Sequence, residues 1–458
     1  MKRKSAVRSL TALSWLALLA SLSVSRHAAA EETLSKPEKP DEGWEFFSDG
    51  RIQTFFSWTV GDGTPPPTTN DLVTGMPRHQ VLPTGGTGAT DQSSYFVTRP
   101  DGTLSNVQVN HINSMRVRSG FTGNVIGVGV RRNLNPQTKV TGYISITSIV
   151  DSQSQKKYFQ SVPDVREGYM MIQGPWGSFL AGRTAVLFNR GAVQADFRYL
   201  HGYGLGFPGD LVSAGGFPTA GQIGFGVLAN GFAAGFVYST PTIAGLQLNA
   251  GLYDPASLTG STIERTKFLR PEFELTADEP LGTICKTHVY LNGGFQPNYQ
   301  QSKTDDTKQN LYGLGYGARV ELGPVHLAGG GHWGKGLGLA YPGLPSDAVY
   351  DSQSKLRETD GYYVMAQLAL GGRVDINAGF GQTRIKLTTA DRTADPLNAF
   401  GDPAQSVIKS QTGISGAVVL HAAKWLHFDV DVMHTDAKWS LGERQQDMFY
   451  NAGTTINW

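Results

Sequence analysis

The sequence predicts an all-β chain folded as a transmembrane antiparallel β-barrel of about sixteen strands. Three observations carry that expectation. Apolar and polar residues alternate with a period of two along many stretches. Short links and long polar ones alternate between those stretches. After residue 30 no apolar run approaches the ~18 residues that a spanning helix needs.

Residues 1–30 read as a secretory signal peptide. Lys2, Arg3, Lys4 and Arg8 precede an apolar run from Leu10 to Val24, and Ala28-Ala29-Ala30 supplies the small residues of a cleavage site. The run is short and broken by serines, which argues against a membrane anchor. Residues 31–44 form a Pro- and charge-rich segment, "EETLSKPEKPDEGW", expected on the periplasmic side, and the barrel is expected over 45–458.

Strands are expected at 45–60, 110–133, 138–150, 163–174, 177–185, 230–240, 244–254, 266–276, 283–295, 310–322, 324–334, 359–370, 373–386, 406–421, 424–436 and 447–458. The pattern is clearest in "LQLNAGLYD", where Leu246, Leu248, Ala250 and Leu252 oppose Gln247, Asn249 and Gly251. In "WLHFDVDVMHTD", Leu426, Phe428, Val430 and Val432 oppose His427, Asp429 and Asp431. Alternation alone fits a water-soluble sandwich as well as a barrel. The links decide between them. Gly174-Pro175-Trp176-Gly177, 240–245, Leu322-Gly323-Pro324, 370–373 and 421–424 are short, whereas 61–109, 296–309, 335–358 and 387–405 are long and polar. One rim of tight turns and one of long loops is the signature of an outer-membrane barrel, and an even strand count lets it close.

The last strand, "YNAGTTINW", places Tyr450, Ala452, Thr454, Ile456 and Trp458 on one face. On the barrel reading these face outward, with the Trp458 ring at the membrane interface. The strand must pair with "RIQTFFSWTV" to leave no backbone group unpaired in lipid. Tyr143, Tyr253 and Tyr363 are expected inside, on separated strands that give no aromatic ladder.

Composition narrows the function. The whole chain carries 39 Lys+Arg against 38 Asp+Glu; five of the basic residues (Lys2, Arg3, Lys4, Arg8, Arg26) lie within 1–30, leaving 34 against 38. No basic excess remains for binding nucleic acid. The single cysteine, Cys285, cannot form an internal disulfide.

The segments "MRVRSGFTG" (115–123), "GPWGSFLAGR" (174–183), "FVYSTPTIAGLQLNAGLY" (236–253) and the terminal "YNAGTTINW" together resemble the general diffusion porins, the trimeric sixteen-stranded channels of Gram-negative outer membranes. The likeness in order and spacing covers most of 45–458. It departs from the family in the long first loop, 61–109, and in the Pro-rich N-terminus. The resemblance implies a homotrimer in lipid and lipopolysaccharide that passes small hydrophilic solutes and ions without a cofactor. It also implies an inward-folded constriction loop at about 185–229, with loop acids facing wall arginines. Carried over by residue, the loop acids are Asp196 and, less closely matched, Asp210. The wall arginines are Arg118 and Arg166, with Arg116, Arg51 and Arg183 as further members. The family's basic groups on the first strand near Trp58 and on the strand after the loop are missing here.

Arginine keeps its charge at any working pH, so such a cluster opposite carboxylates sets up a transverse field. At ~10 Å through water one pair of charges is worth only ~0.4 kcal/mol, enough to bias ions and too little for tight binding. Other readings are a substrate-specific channel of about eighteen strands, selective for sugars or anions, and a barrel enzyme using His434 and Asp436 with His427 and Ser440 nearby. No nucleophile or second carboxylate is placed to support catalysis. His332 and His326 share a strand face but have no further ligand for a metal.

Overall fold

The computed structural model describes residues 32–33, 43–62, 96–98, 104–106, 111–120, 123–148, 164–198, 204–206, 218–255, 268–281, 285–299, 309–339, 349, 351, 355–393, 408–439 and 444–458. Sixteen strands run in order around one closed antiparallel sheet. They are β1 (Glu45–Asp62), β2 (in two pieces, His111–Arg118 and Asn124–Asn135), β3 (Thr138–Ser148), β4 (Asp164–Gly174), β5 (Gly177–Ala185) and β6 (Phe232–Ser239). Then come β7 (Leu246–Tyr253), β8 (Arg270–Leu281), β9 (Cys285–Tyr299), β10 (Gln309–Leu322) and β11 (Val325–Lys335). The last five are β12 (Glu358–Leu370), β13 (Val374–Lys386), β14 (Ile408–Ala423), β15 (Leu426–Trp439) and β16 (Arg444–Asn457). Closure comes from β1 and β16, which pair from Arg51↔Asn457 to Gly61↔Asp447. The strand number is sixteen, so the eighteen-stranded form of the rival channel is not the one adopted.

Burial is inverted relative to a water-soluble sandwich. On β15 Val430 is 61% exposed while its neighbours Asp429 and Asp431 are 6% and 3% exposed. Leu246, Leu248 and Leu252 are likewise exposed on β7 and Asn249 is buried. An apolar outer face around a polar interior suits lipid outside and water inside. No helix among the described residues is long and apolar enough to cross a membrane.

The tight turns gather at one rim. Between β12 and β13, whose ladder ends at Leu370↔Val374, Gly371 and Gly372 both have positive φ, 57° and 68°, and the Arg373 N–H donates to the Leu370 carbonyl at 3.1 Å, a tight turn whose two central residues are left-handed as glycine allows. The two chain ends of the barrel meet at this rim. Trp458 exchanges backbone hydrogen bonds with Gly50 (3.1 and 3.2 Å), and its indole lies over Gly50, where a Cβ would come within 2.3 Å of the ring. Only glycine leaves room for it. Ahead of β1, Glu32–Thr33 pairs with Phe47 and Ser48 of that strand. All of 1–30, most of 31–42 and the bulk of the 61–109 loop lie outside the described residues.

One expected strand, 110–133, is broken in the middle. The ladder with β1 stops at Phe55↔Arg118 and resumes at Arg51↔Val125. Gln53 spans the gap: its N–H donates to Asn124 Oδ1 at 2.8 Å and its Nε2 donates to the Gly123 carbonyl at 2.8 Å. A side chain thereby satisfies what the interrupted ladder leaves open.

Deleting 450–458 would expose the edges of β1 and β15 to lipid, at several kcal/mol for each orphaned backbone group. The expected result is loss of the heat-modifiable folded band on a denaturing gel; retention of that band would show that β16 is not needed to close the sheet.

Candidate pore-lining site

Two stretches leave the wall and pack on its inner face. The first begins after β5, where the Val186 N–H donates to the Gly231 carbonyl at 2.9 Å. Val186 and Leu187 are buried against Ala233, Val237 and Tyr253. The Phe188 N–H donates to Glu272 on β8 at 2.8 Å and the Asn189 N–H to Asn292 on β9 at 3.1 Å. A short helix, α1 (Arg190–Ala195), then packs against β9, β10 and β11. Arg190 at its start pairs with Glu274 of β8, Nε to Oε2 at 2.8 Å. Ala192, Val193, Ala195 and Phe197 join Tyr290, Ala328, Tyr363 and Met365 of the wall in one apolar cluster.

The second stretch, Gly221 to Ala229, belongs to the same cluster through Ile223, Val227 and Ala229. It is tied to the wall on three strands. Gln222 Nε2 donates to Ser415 Oγ of β14 (2.7 Å), the Gly226 N–H to Thr383 Oγ1 of β13 (2.9 Å), and His332 Nδ1 of β11 to the Gly226 carbonyl (3.0 Å). The side chain of Gln411 also donates to the Gly224 carbonyl.

Asp196 joins the two stretches. It is 1% exposed, and its carboxylate accepts the Arg198 N–H at 2.9 Å and the Gln222 N–H at 2.8 Å. Gly221, at φ 56°, passes so close that a Cβ would overlap the carboxylate. Arg198 continues to the far wall, with Nη2 3.0 Å from Asp431 Oδ1 of β15 and both side chains at most 2% exposed. Removing one partner of so buried a pair costs ~3–5 kcal/mol, because the other charge stays behind unpaired.

The arginines expected on the wall divide into two groups. Arg51 is half-buried on the inner face, in line with Gln53 and Phe55. Arg116 and Arg118 occupy register positions opposite Ser57 and Phe55, both buried on that face. Arg183 is exposed on the outer face with Phe179, because Leu180 and Thr184 of β5 are the residues that turn inward. Arg183 Nε donates to the Arg166 carbonyl at 3.1 Å. Arg166 sits at a bulge, skipped between the pairs Ser145↔Glu167 and Ile146↔Val165. Its guanidinium contacts Asp164 at 3.0 Å and lies 5.6 Å from the centre of Phe232, which shares the outer face with Phe236. The structure therefore does not bring Arg166 and Arg183 together with Asp196 or Arg51. Asp210 lies outside the described residues.

Within the described residues the inner stretches bond to β8–β11 and β13–β15, and the side chains on β1–β4 form a group of their own. Tyr143 donates to Asp49 at 2.8 Å, its ring is 5.3 Å from that of Tyr169 and 6.2 Å from that of Phe47. Glu167 accepts from Thr184 at 3.2 Å and Ser145 at 3.5 Å. Arg131 pairs with Glu45 and stacks on Phe47, 5.3 Å from its centre. Tyr143, Tyr253 and Tyr363 do lie on the inner side. The cluster of Phe47, Tyr143 and Tyr169 goes beyond the sequence pattern, because it depends on the register of β3 with β4, in which Tyr143 pairs with Tyr169.

No protein-family model matches this chain, and no curated protein matches it in sequence. Solved structures match in shape. The outer-membrane channel DcaP of Acinetobacter baumannii superposes with a TM-score of 0.59 at 13% identity, over 91% of this chain and 98% of that one. An anion-selective porin from Comamonas acidovorans gives 0.54 at 12% identity, over 91% and 100%. The Salmonella typhi porin OmpF, solved with daunomycin, gives 0.51 at 13%, over 90% and 98%. The barrel is similar in fold to these channels. At such identities the likeness establishes the fold alone and assigns no solute.

Replacing Asp196 with alanine removes the acceptor of two buried N–H groups. Hydrogen bonds to a charged acceptor are worth ~1.5–3 kcal/mol each, so amide exchange at Arg198 and Gln222 should speed up by ~10- to ~10²-fold while the wall strands keep their protection. Unchanged exchange at both amides would show that the carboxylate does not tie the stretches.

Proposed function

We propose that this protein is an outer-membrane porin, a water-filled channel for passive diffusion of small hydrophilic solutes and ions. In this reading the chain from about 185 to 229 is the constriction loop, and the barrel works as a homotrimer in lipid and lipopolysaccharide, without cofactor or catalysis. The observation that carries it is the anchoring of Val186–Arg198 and Gly221–Ala229 on the inner side of β8–β15. The open passage then runs along β1–β4, past Asp49, Arg51, Glu167 and the positions of Arg116 and Arg118. Asp196 serves as the clasp of the loop, and the field across the passage comes from these wall groups.

The test is single-channel conductance and reversal potential of refolded residues 31–458 in planar bilayers under a salt gradient. Large ohmic steps closing in thirds are expected. A single charge acting at ~10 Å contributes ~0.4 kcal/mol, about a twofold change in permeability ratio. Arg118→Ser should shift preference by that amount toward cations and Asp49→Asn toward anions. Absence of conductance from correctly folded protein would overturn the reading.

A second reading, a sugar-selective channel, is favoured by the cluster of Phe47, Tyr143 and Tyr169 beside Asp49 and Glu167, since aromatic faces with hydrogen-bonding neighbours suit saccharides. Block of the current by low concentrations of an oligosaccharide, relieved in Tyr143→Ala, would select it over general diffusion.

A further inference from the structure

At the tight-turn rim, β13, β14 and β15 bring together three polar side chains that the channel reading does not use. His421 and His427 face each other across the β14–β15 hairpin, a directly opposed pair in the register. Their Nδ1 atoms are 2.8 Å apart and their rings meet edge to face at 85°. Nε2 of His421 lies 2.8 Å from Asp375 Oδ2 of β13. The same carboxylate oxygen accepts from Gln367 Nε2 of β12 at 3.1 Å, and the Gln367 carbonyl oxygen contacts His326 Nδ1 of β11 at 2.6 Å. A ring nitrogen of His427 is held by the backbone carbonyl of Lys424.

A carboxylate only accepts, so the Asp375 contact puts the His421 hydrogen on Nε2 and leaves its Nδ1 with a lone pair directed at His427. An imidazole whose far nitrogen is fixed by a carboxylate is the usual arrangement behind a metal-bound histidine. We infer that His421 and His427 bind a divalent transition-metal ion through their Nδ1 atoms, with Asp375 as the orienting partner of His421.

The separation of the two nitrogens selects the kind of ion. With metal–nitrogen bonds of about 2.0–2.1 Å, adjacent ligands at a right angle stand about 2.9 Å apart and tetrahedral ones about 3.4 Å. The observed 2.8 Å fits the right-angle case, the geometry of square-planar or octahedral Cu²⁺ and Ni²⁺ rather than of Zn²⁺. Among the described residues no group of three or more His, Cys, Asp or Glu side chains is placed to hold a metal, so water must complete the shell. Both His421 and Asp375 keep partial access to solvent, at 19% and 13% of their side-chain surface. This inference stands on the wall alone and does not depend on the channel reading.

The experiment is titration of Cu²⁺ into folded residues 31–458 in detergent, read by electron paramagnetic resonance. The expected result is one saturable ion per chain whose spectrum carries coupling to two nitrogens. His421→Gln and His427→Gln should each abolish that signal, and Asp375→Asn should weaken binding 10–100-fold while leaving the two-nitrogen spectrum intact. Each variant is first checked for the heat-modifiable band, and the glutamines keep a polar group on the wall. The chain holds 10 histidines, so a copper signal that survives in the His421→Gln, His427→Gln double variant belongs elsewhere and overturns the proposal. No saturable binding in the unaltered protein also overturns it and leaves the pair as imidazoles sharing a proton.

Discussion

Everything in this molecule depends on the requirement that a backbone in lipid finds its hydrogen-bond partners within the protein. A sheet meets that requirement only by closing, so the first and last strands must find each other across nearly the full length of the chain. β1 and β16 do so over eleven register pairs, ending where the Trp458 ring covers Gly50. Even the break in β2 obeys the rule, because the side chains of Gln53 and Asn124 supply bonds that the ladder omits. Closure leaves the inside free to be polar, and carboxylates there meet donors: Glu272 the Phe188 N–H, Glu274 the Arg190 guanidinium, Asp375 the Gln367 amide and Asp431 the Asn451 amide.

The interior is organised by a division of labour between charge and apolar contact. The helix α1 and the 221–229 stretch bury an ordinary hydrophobic cluster, with Tyr290 and Tyr363 joined through their hydroxyls at 3.0 Å. Around that cluster, charged pairs fix position. Glu274 holds Arg190 and Asp431 holds Arg198, so the ends of the first stretch are pinned to walls on opposite sides of the apolar contact. Hydrophobic burial is non-directional, whereas the two ion pairs and the Asp196 clasp admit a single register.

Much of the wall is legible in the sequence because a period of two, repeated with tight turns between long polar loops, is compatible with few folds apart from a barrel. Expected strands 138–150 and 177–185 correspond to Thr138–Ser148 and Gly177–Ala185. The eighth strand is displaced, expected at 266–276 and found at Arg270–Leu281, since Glu279 and Pro280 interrupt the apolar alternation while the backbone pairing with β9 continues. The long stretch after β5 stands out by its length and composition, but its internal contacts leave no trace in the pattern. Asp196 looks like a lumen charge in sequence, and only the fold brings Gln222 to it from 26 residues away. Arg183 is placeable from sequence, since it lies four residues from Phe179 and so shares its outward face. Arg166 is not, because the bulge that reorients it leaves no mark in the alternation. His421 and His427 are hidden for a related reason: six residues apart in sequence, they become neighbours only through the register of a hairpin.

The Asp196 clasp bears on how a barrel with such an interior can diversify. By binding the amides of Arg198 and Gln222, one carboxylate pins together the two feet of the chain that lies between them. The entropic cost of closing a loop grows only with the logarithm of its length, so doubling the intervening segment adds roughly 0.6 kcal/mol. Substitutions and insertions between the feet can thus accumulate at little cost while the feet stay in place. A lineage could retune the interior without rebuilding the wall.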